Sequence, residues 1–260
     1  MRHTFLDRYR AGNSLIHRLD PRLKLLGSVA FVLTATSLPP GAWFALAVLA
    51  LLALVAVLLS RIPLRAALKS SSVALPFAGM AAISLPFTRA GQTLWSATFG
   101  PLHLTVTDAG LELFATVLLK AWLSVLVSWL MVATTPFDRL LQAMRKLRLP
   151  AVLVNTIGFM YRYLFVLVDE AMRLMTARQA RSVGEGRTLA WRAHVLGDMI
   201  GSLFIRSYER SERIYAAMLA RGFAGEMRVL TTLAWQRRDT CVGVAWLLAL
   251  AAVSAIGRWA

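Results

Sequence analysis

The chain has 260 residues, of which 58% are hydrophobic and 16% charged, with a mean hydropathy of +0.61. A soluble domain carries about 25% charged residues, so an ordinary soluble fold is excluded and five or six membrane-spanning helices fit the length. The 29 Lys and Arg outnumber the 13 Asp and Glu, for a net charge of +16. Because these cations are interleaved with membrane-grade apolar runs, they point to anionic lipid or an acidic protein partner and away from nucleic acid. The lone Cys241 excludes an intramolecular disulfide and a cysteine metal cluster.

The first 24 residues are polar and basic, with no apolar core of the kind a cleavable signal peptide has. Apolar runs then follow at Leu25–Leu38, Trp43–Leu59, Val73–Phe87, Leu113–Thr134, Val152–Val168 and Thr240–Ile256. The first two are separated by Pro39, Pro40 and Gly41, which predict a tight, uncharged turn. Loop charge sets the orientation. Arg2, Arg8, Arg10, Arg18, Arg22 and Lys24 precede the first run, the 38–42 turn has no cation, and Arg61, Arg65 and Lys69 follow the second. The 88–111 loop carries only Arg89, and the chain after Thr134 is strongly basic. By the positive-inside rule this alternation predicts four spans with a cytoplasmic N-terminus.

The Val152–Val168 run breaks the pattern. If it spanned, the twelve arginines between 169 and 239 would face outward, and Arg162 would cost about 2.5–3.5 kcal/mol at the centre of a spanning helix. It is therefore expected to lie in or under the cytoplasmic face. The last run then crosses outward, giving about five transmembrane helices in an all-α polytopic membrane protein, with a six-span count as the alternative.

Thr135, Pro136 and Asp138 predict a helix start, and Phe137, Leu140, Leu141, Met144 and Leu147 recur at helical spacing up to Pro150. A second amphipathic helix is predicted over about Gly201–Arg221. Phe204, Tyr208, Tyr215, Met218 and Leu219 would share one face, and Arg206, Arg210, Arg213 and Arg221 the other. Glu209 stands four residues before Arg213, a spacing that supports a local ion pair.

Met175-Thr176-Ala177-Arg178 and Met218-Leu219-Ala220-Arg221 repeat a Met-x-Ala-Arg pattern near predicted helix ends, and Gly222 follows the second as a helix-terminating glycine should. A small Ala beside an Arg lets a partner surface approach while the guanidinium forks onto a carboxylate. The two tips therefore suggest docking points for two similar partners, although a four-residue repeat in a chain rich in Ala and Arg also arises by chance.

No catalytic constellation is legible. The chain has no Walker A loop, and His3, His17, His103 and His194 have no metal-ligand spacing. Lys120 lies inside the fourth span, eight residues from Glu112, and is expected to serve a buried acceptor rather than a transport path.

Three stretches resemble the T component of energy-coupling factor (ECF) transporters, most closely its cobalt branch, CbiQ. They are Ser14-Leu15-Ile16-His17-Arg18-Leu19-Asp20-Pro21-Arg22-Leu23-Lys24, then Glu209-Arg210-Ser211-Glu212-Arg213 followed by Ala217 to Phe223, and Ala177-Arg178-Gln179. Gln179 stands where the family's tripeptide has a variable glycine. The resemblance implies a non-catalytic subunit of an ABC-type importer in the bacterial cytoplasmic membrane. It would couple two ATPase subunits, which bind ATP and Mg, to a separate substrate-binding membrane subunit that carries Co2+.

Carried over, Ala177, Arg178, Gln179, Ala220, Arg221 and Gly222 would dock on the ATPases, with Glu209, Arg210, Glu212 and Arg213 supporting the coupling helix. No cofactor or metal is expected in this chain. The implied organisation is a membrane domain over 1–134 with about four spans, a cytoplasmic segment of long amphipathic coupling helices over 135–239 and a transmembrane helix over 240–260. An ion-gradient-driven transporter or channel, a membrane-embedded enzyme and a T component shared among vitamin-binding subunits stay open as alternatives.

Overall fold

The polar start of the chain is organised by short side chains. In the computed structural model, which describes residues 9–89, 91–99, 102–181, 188–225 and 233–259, Ser14 caps α1 (Leu15–Arg18) by accepting from the His17 amide. Asp20 caps α2 (Pro21–Ser37) by accepting from the Arg22 amide, with Pro21 opening the helix. The predicted turn follows, and Gly41 holds φ +84 there. A Cβ at that position would stand 2.7 Å from Glu112 Oε1, so both the backbone angle and the space require glycine.

Helix α3 (Trp43–Ser60) is uniformly apolar and ends on Arg61 in the left-handed region. The next apolar stretch begins earlier than its hydropathy suggested, at Leu64 rather than Val73, and is broken into α4 (Leu64–Ser71), α5 (Ala74–Ala82) and α6 (Leu85–Thr88). Pro76 and Pro86 follow the two breaks, and each lacks the N–H that a continuous helical ladder would use.

A hairpin of β1 (Thr93–Phe99) and β2 (Leu102–Thr107) occupies what the sequence suggested was loop. The strands pair antiparallel from Thr93↔Thr107 to Phe99↔Leu102. The signal was present: Leu102, Leu104 and Val106 alternate with His103, Thr105 and Thr107, a strand period. Helix α7 (Asp108–Thr134) starts five residues before the predicted apolar run. It is followed by α8 (Phe137–Lys146), α9 (Ala151–Arg181), α10 (Leu189–Ala220) and α11 (Arg237–Trp259).

The chain divides into two compact units. In the first, which runs to Ala143 and resumes at Leu233, α7 packs against α2 to α6 and α11 packs against α2 and α3. Phe31, Leu46, Leu49, Val57, Leu123 and Val253 are fully buried in its core. Phe31 stacks on Trp246 at 6.1 Å, and Trp246 Nε1 donates to the Gly27 carbonyl at 3.2 Å. Gly27, Gly243 and Gly257 face Trp246, Leu23 and Leu38 respectively, so missing side chains let α2 and α11 approach closely.

Lys120 and Glu112 are tied into the same unit. Lys120 Nζ donates to the Leu38 carbonyl just past the end of α2, and Glu112 Oε1 accepts from Trp43 Nε1 at 3.2 Å. The second unit, within 144–232, is built on α9 and α10.

Among the described residues the fold is all-α apart from the hairpin, with five stretches long and apolar enough to cross a membrane: Trp43–Ser60, Leu64–Thr88, Asp108–Thr134, Ala151–Arg181 and Arg237–Arg258. The number equals the expectation but the set differs. Helix α2, at 17 residues, rises only about 26 Å, whereas α9, expected to lie along a surface, has 31 residues and the required apolar composition. Arg162 is exposed on α9.

Candidate functional site

Thr188 starts α10 by accepting from the Trp191 amide, so the helix begins twelve residues before the predicted Gly201. Its interior Gly197 and Gly201, each with no neighbour within 4 Å of an added Cβ, weaken local helix preference and hide this start from periodicity. Helix α8 ends at Lys146 rather than running to Pro150. Arg148 adopts φ +64, and Leu149 N–H reaches back to the Met144 carbonyl. The proline disfavours helical geometry at Leu149, which makes the earlier stop the cheaper one.

Helices α9 and α10 run antiparallel. Arg178, near the end of α9, lies over the Trp191 ring at the start of α10, 5.8 Å from its centroid. Midway, Glu170 accepts from Arg206 at 3.0 Å and also faces Arg173 at 3.6 Å. At the far end, Asn155 near the start of α9 donates to the Gly225 carbonyl beyond α10. Between the helices runs a groove of about 590 Å³ lined by Val152, Phe159, Met160, Ile214, Tyr215 and Met218 among others.

This pairing separates residues that the sequence had grouped. Tyr215 and Met218 line the groove, whereas Phe204, Tyr208 and Leu219 lie outside its lining, although Tyr215 is itself largely exposed. Arg210 borders the groove together with Ser207 and Ser211. The expected Glu209–Arg213 pair is present at 3.8 Å, across two solvent-facing side chains, and Glu212 is exposed.

The two Ala-Arg tripeptides sit at opposite ends of the helix pair. With Trp191 marking the Arg178 end, the rise of about 1.5 Å per residue from Trp191 to Arg221 sets the two arginines about 45 Å apart. Ala220, Arg221 and Gly222 are all exposed. Helix α10 stops there in a double reverse bond: Gly222 N–H donates to the Leu219 carbonyl at 2.9 Å, and Phe223 N–H donates to the Met218 carbonyl at 3.0 Å. Gly222 holds φ +75. This is the Schellman termination, which needs a left-handed residue at that place.

The first tripeptide lies inside α9, three residues before its end, with Ala177 and Gln179 exposed and Arg178 half-buried under its contact with Trp191. Arg221 caps the end of α10, and Arg178 lies three residues before the end of α9.

Three participants escaped sequence reading: Trp191, Glu170 and Asn155. Only Trp191 had a local signal, as the third residue after a Thr that can cap. Among the described residues, no three His, Cys, Asp or Glu side chains gather to hold a metal ion.

A family model described as CbiQ, cobalt transport protein, matches residues 12–232. Over 228 residues the chain is 31% identical to an uncharacterised protein of Methanocaldococcus jannaschii, with 86% of this chain and 76% of that one covered. It is 29% identical over 209 residues to the cobalt transport protein CbiQ of Rhodobacter capsulatus, covering 80% of each. It is 27% identical over 263 residues to the energy-coupling factor transporter transmembrane protein EcfT of Lactococcus lactis subsp. cremoris, covering 95% of this chain and 96% of that one. The matched stretch runs from just before the cap of α1 through both arginine tips, and the chain belongs to the EcfT/CbiQ family of transporter T components.

Proposed function

We propose that this chain is the coupling subunit of an ECF-type ABC importer. It transmits the ATP-driven motion of two ATPase subunits to a substrate-binding membrane subunit. The observation that carries this reading is the pair of Ala-Arg tips about 45 Å apart at opposite ends of one helix pair, Arg221 exposed and Arg178 half-buried against Trp191. One small acidic patch does not reach both tips, whereas two copies of one ATPase subunit offer the same groove twice. Arg178 and Arg221 would each fork onto a groove carboxylate. Ala177, Gln179, Ala220 and Gly222 would set the closeness of fit, and the Glu209–Arg213 pair would stiffen α10.

In this reading the 135–239 segment and the N-terminus face the cytoplasm of a bacterial cell, since the arginines must meet ATPases that draw on cytoplasmic ATP. ATP and Mg would be held by those partners and the transported ion, Co2+, by the membrane partner. Cobalt is favoured over nickel or a vitamin by the family description and by the Rhodobacter capsulatus relative. The apolar groove and the exposed Phe204, Ile205 and Tyr208 beside it offer a surface that a membrane partner can cover.

Testing requires this chain, its ATPases and its membrane partner expressed together. Arg178→Glu combined with Arg221→Glu should abolish co-purification of the ATPases and ATP-driven Co2+ uptake. Retention of both activities by the double variant would remove the docking role. Uptake driven by an ion gradient in vesicles containing this chain alone would favour the secondary-transporter alternative.

A further inference from the structure

Helix α10 ends at Ala220 with Arg221 as its cap, and the residues just beyond, up to Gly225, are held by hydrogen bonds. Gly225, at φ +86, turns its carbonyl to the start of α9, where Asn155 Nδ2 donates to it at 2.7 Å. The other end of the same carboxamide, Oδ1, accepts from Arg145 Nη2 at 2.7 Å. Asn155 is 7% exposed. It is thus a buried bridge between the loop that carries the Arg221 tip and the C-terminal end of α8. Both bonds are short and one is charge-assisted, the stronger class.

The residue type is constrained by this geometry. The position must accept from a guanidinium on one side and donate to a peptide carbonyl on the other, and a carboxamide does both through atoms about 2.3 Å apart. The opposite amide orientation would set donor against donor at Arg145 and acceptor against acceptor at Gly225. A carboxylate would keep the Arg145 bond and lose the Gly225 bond, and an aliphatic chain would lose both. Gly222 and Gly225, both at positive φ, leave this carboxamide bond and the Schellman bonds as the described hydrogen bonds that fix the tip segment.

We infer that Asn155 is a positioning residue for the Arg221 tip, bonding the tip loop to Arg145 so that displacement of the tip is delivered to α8. Helix α8 continues by chain into α7, the central helix of the other unit. The inference rests on the coupling role proposed above, and it adds the route by which one of the two tips acts on the rest of the chain.

The test uses the full complex with the variants Asn155→Leu, Asn155→Asp, Arg145→Met and Arg145→Met combined with Asn155→Leu. ATP hydrolysis and Co2+ uptake are measured on the same vesicles, and amide exchange is measured on the detergent-solubilised complex. In Asn155→Leu the ATPases should co-purify in the wild-type ratio and hydrolysis should continue. Uptake per ATP should fall on the order of tenfold, the population shift expected from losing a charge-assisted hydrogen bond.

Amide exchange should rise across residues 219–225 and stay unchanged across α3 and α7, which a general loss of stability would not produce. The double variant should be no worse than Asn155→Leu alone, because both changes cut one path. Asn155→Asp is isosteric and still accepts from Arg145, so it carries the test if the Leu variant assembles poorly. It should also lower uptake per ATP. Unchanged uptake per ATP in either assembled variant, or a multiplied defect in the double variant, would overturn the inference. Failure of the ATPases to bind the wild-type chain would instead count against the coupling role.

Discussion

Gly222 connects backbone geometry to the proposed docking tip with the fewest confounding terms. It holds φ +75 directly after Arg221, and an added Cβ there would meet nothing within 4 Å. Gly222→Ala therefore introduces no clash, and its whole effect is the cost of holding an L-residue in the left-handed region, about 1 kcal/mol. That cost falls on the turned state in which Phe223 N–H reaches the Met218 carbonyl and Arg221 stands at the exposed helix end. A change of about 1 kcal/mol corresponds to about a fivefold shift in the population of the turn. ATPase binding, titrated with purified subunits in nanodiscs, should weaken by about that factor. Gly222→Asn should lose less, because Asn tolerates the left-handed region better than Ala. If both variants bound as tightly as the wild type, the tip would not need its Schellman turn. If Asn lost more than Ala, side-chain bulk rather than backbone angle would govern the site.

Two further predictions address the membrane unit. Lys120→Met removes the donor to the Leu38 carbonyl and should lower stability by about 1 kcal/mol, read as an earlier melt by tryptophan fluorescence, while uptake per assembled complex stays at the wild-type level. Loss of uptake at unchanged stability would instead make Lys120 part of a transport path. Asp239 is 1% exposed, and its two carboxylate oxygens accept from the Asp20 and Gln236 amides at 3.3 and 2.9 Å. Asp239→Ala strands both donors and should cost about 2 kcal/mol. Trp246, stacked on Phe31 in the same unit, reports the melt, and an unshifted melt would refute the role assigned to Asp239.

What was legible in the sequence depended on how far apart the cooperating residues lie along the chain. Periodicity and charge sufficed for the all-α class, the number of spanning candidates and the Glu209–Arg213 pair, since each is a matter of neighbours within one helix. Lys120 was expected to serve a buried acceptor and does, but nothing local named Leu38, 82 residues away. The start of α10 was missed because Gly197 and Gly201 dilute the helical pattern, and the hairpin was missed because an uncharged stretch between spans reads as loop. Asn155 and Glu170 were invisible, and Trp191 had only the capping Thr188 as a signal, because each acquires its role from the antiparallel pairing of α9 with α10, which no single-helix pattern encodes.

The N-terminal stretch Ser14–Lys24 illustrates how the structure gives a recognisable motif its physical content. Its side chains and backbone tie three helix ends together. His17 Nδ1 and Nε2 face Ser14 Oγ at 2.6 Å and the Arg10 carbonyl at 3.0 Å, and Arg10 N–H donates to the Ala133 carbonyl near the end of α7. Lys24 Nζ donates to the Thr134 carbonyl and Thr135 Oγ1 at 3.1 and 3.3 Å. Asp20 N–H donates to Asp239 at the start of α11, and Arg238 donates to the Arg18 carbonyl at 2.8 Å. The motif thus fastens α2, α7 and α11 at the end of the bundle from which the chain leaves α7 for α8 and re-enters at α11. In the proposed coupling role, a unit receiving motion through α8 would need that point of departure held fixed, since a loose end would absorb the displacement as local bending. The bonds around Asp20, Lys24 and Asp239 would supply that anchorage, in a dense polar cluster within a chain that is more than half apolar.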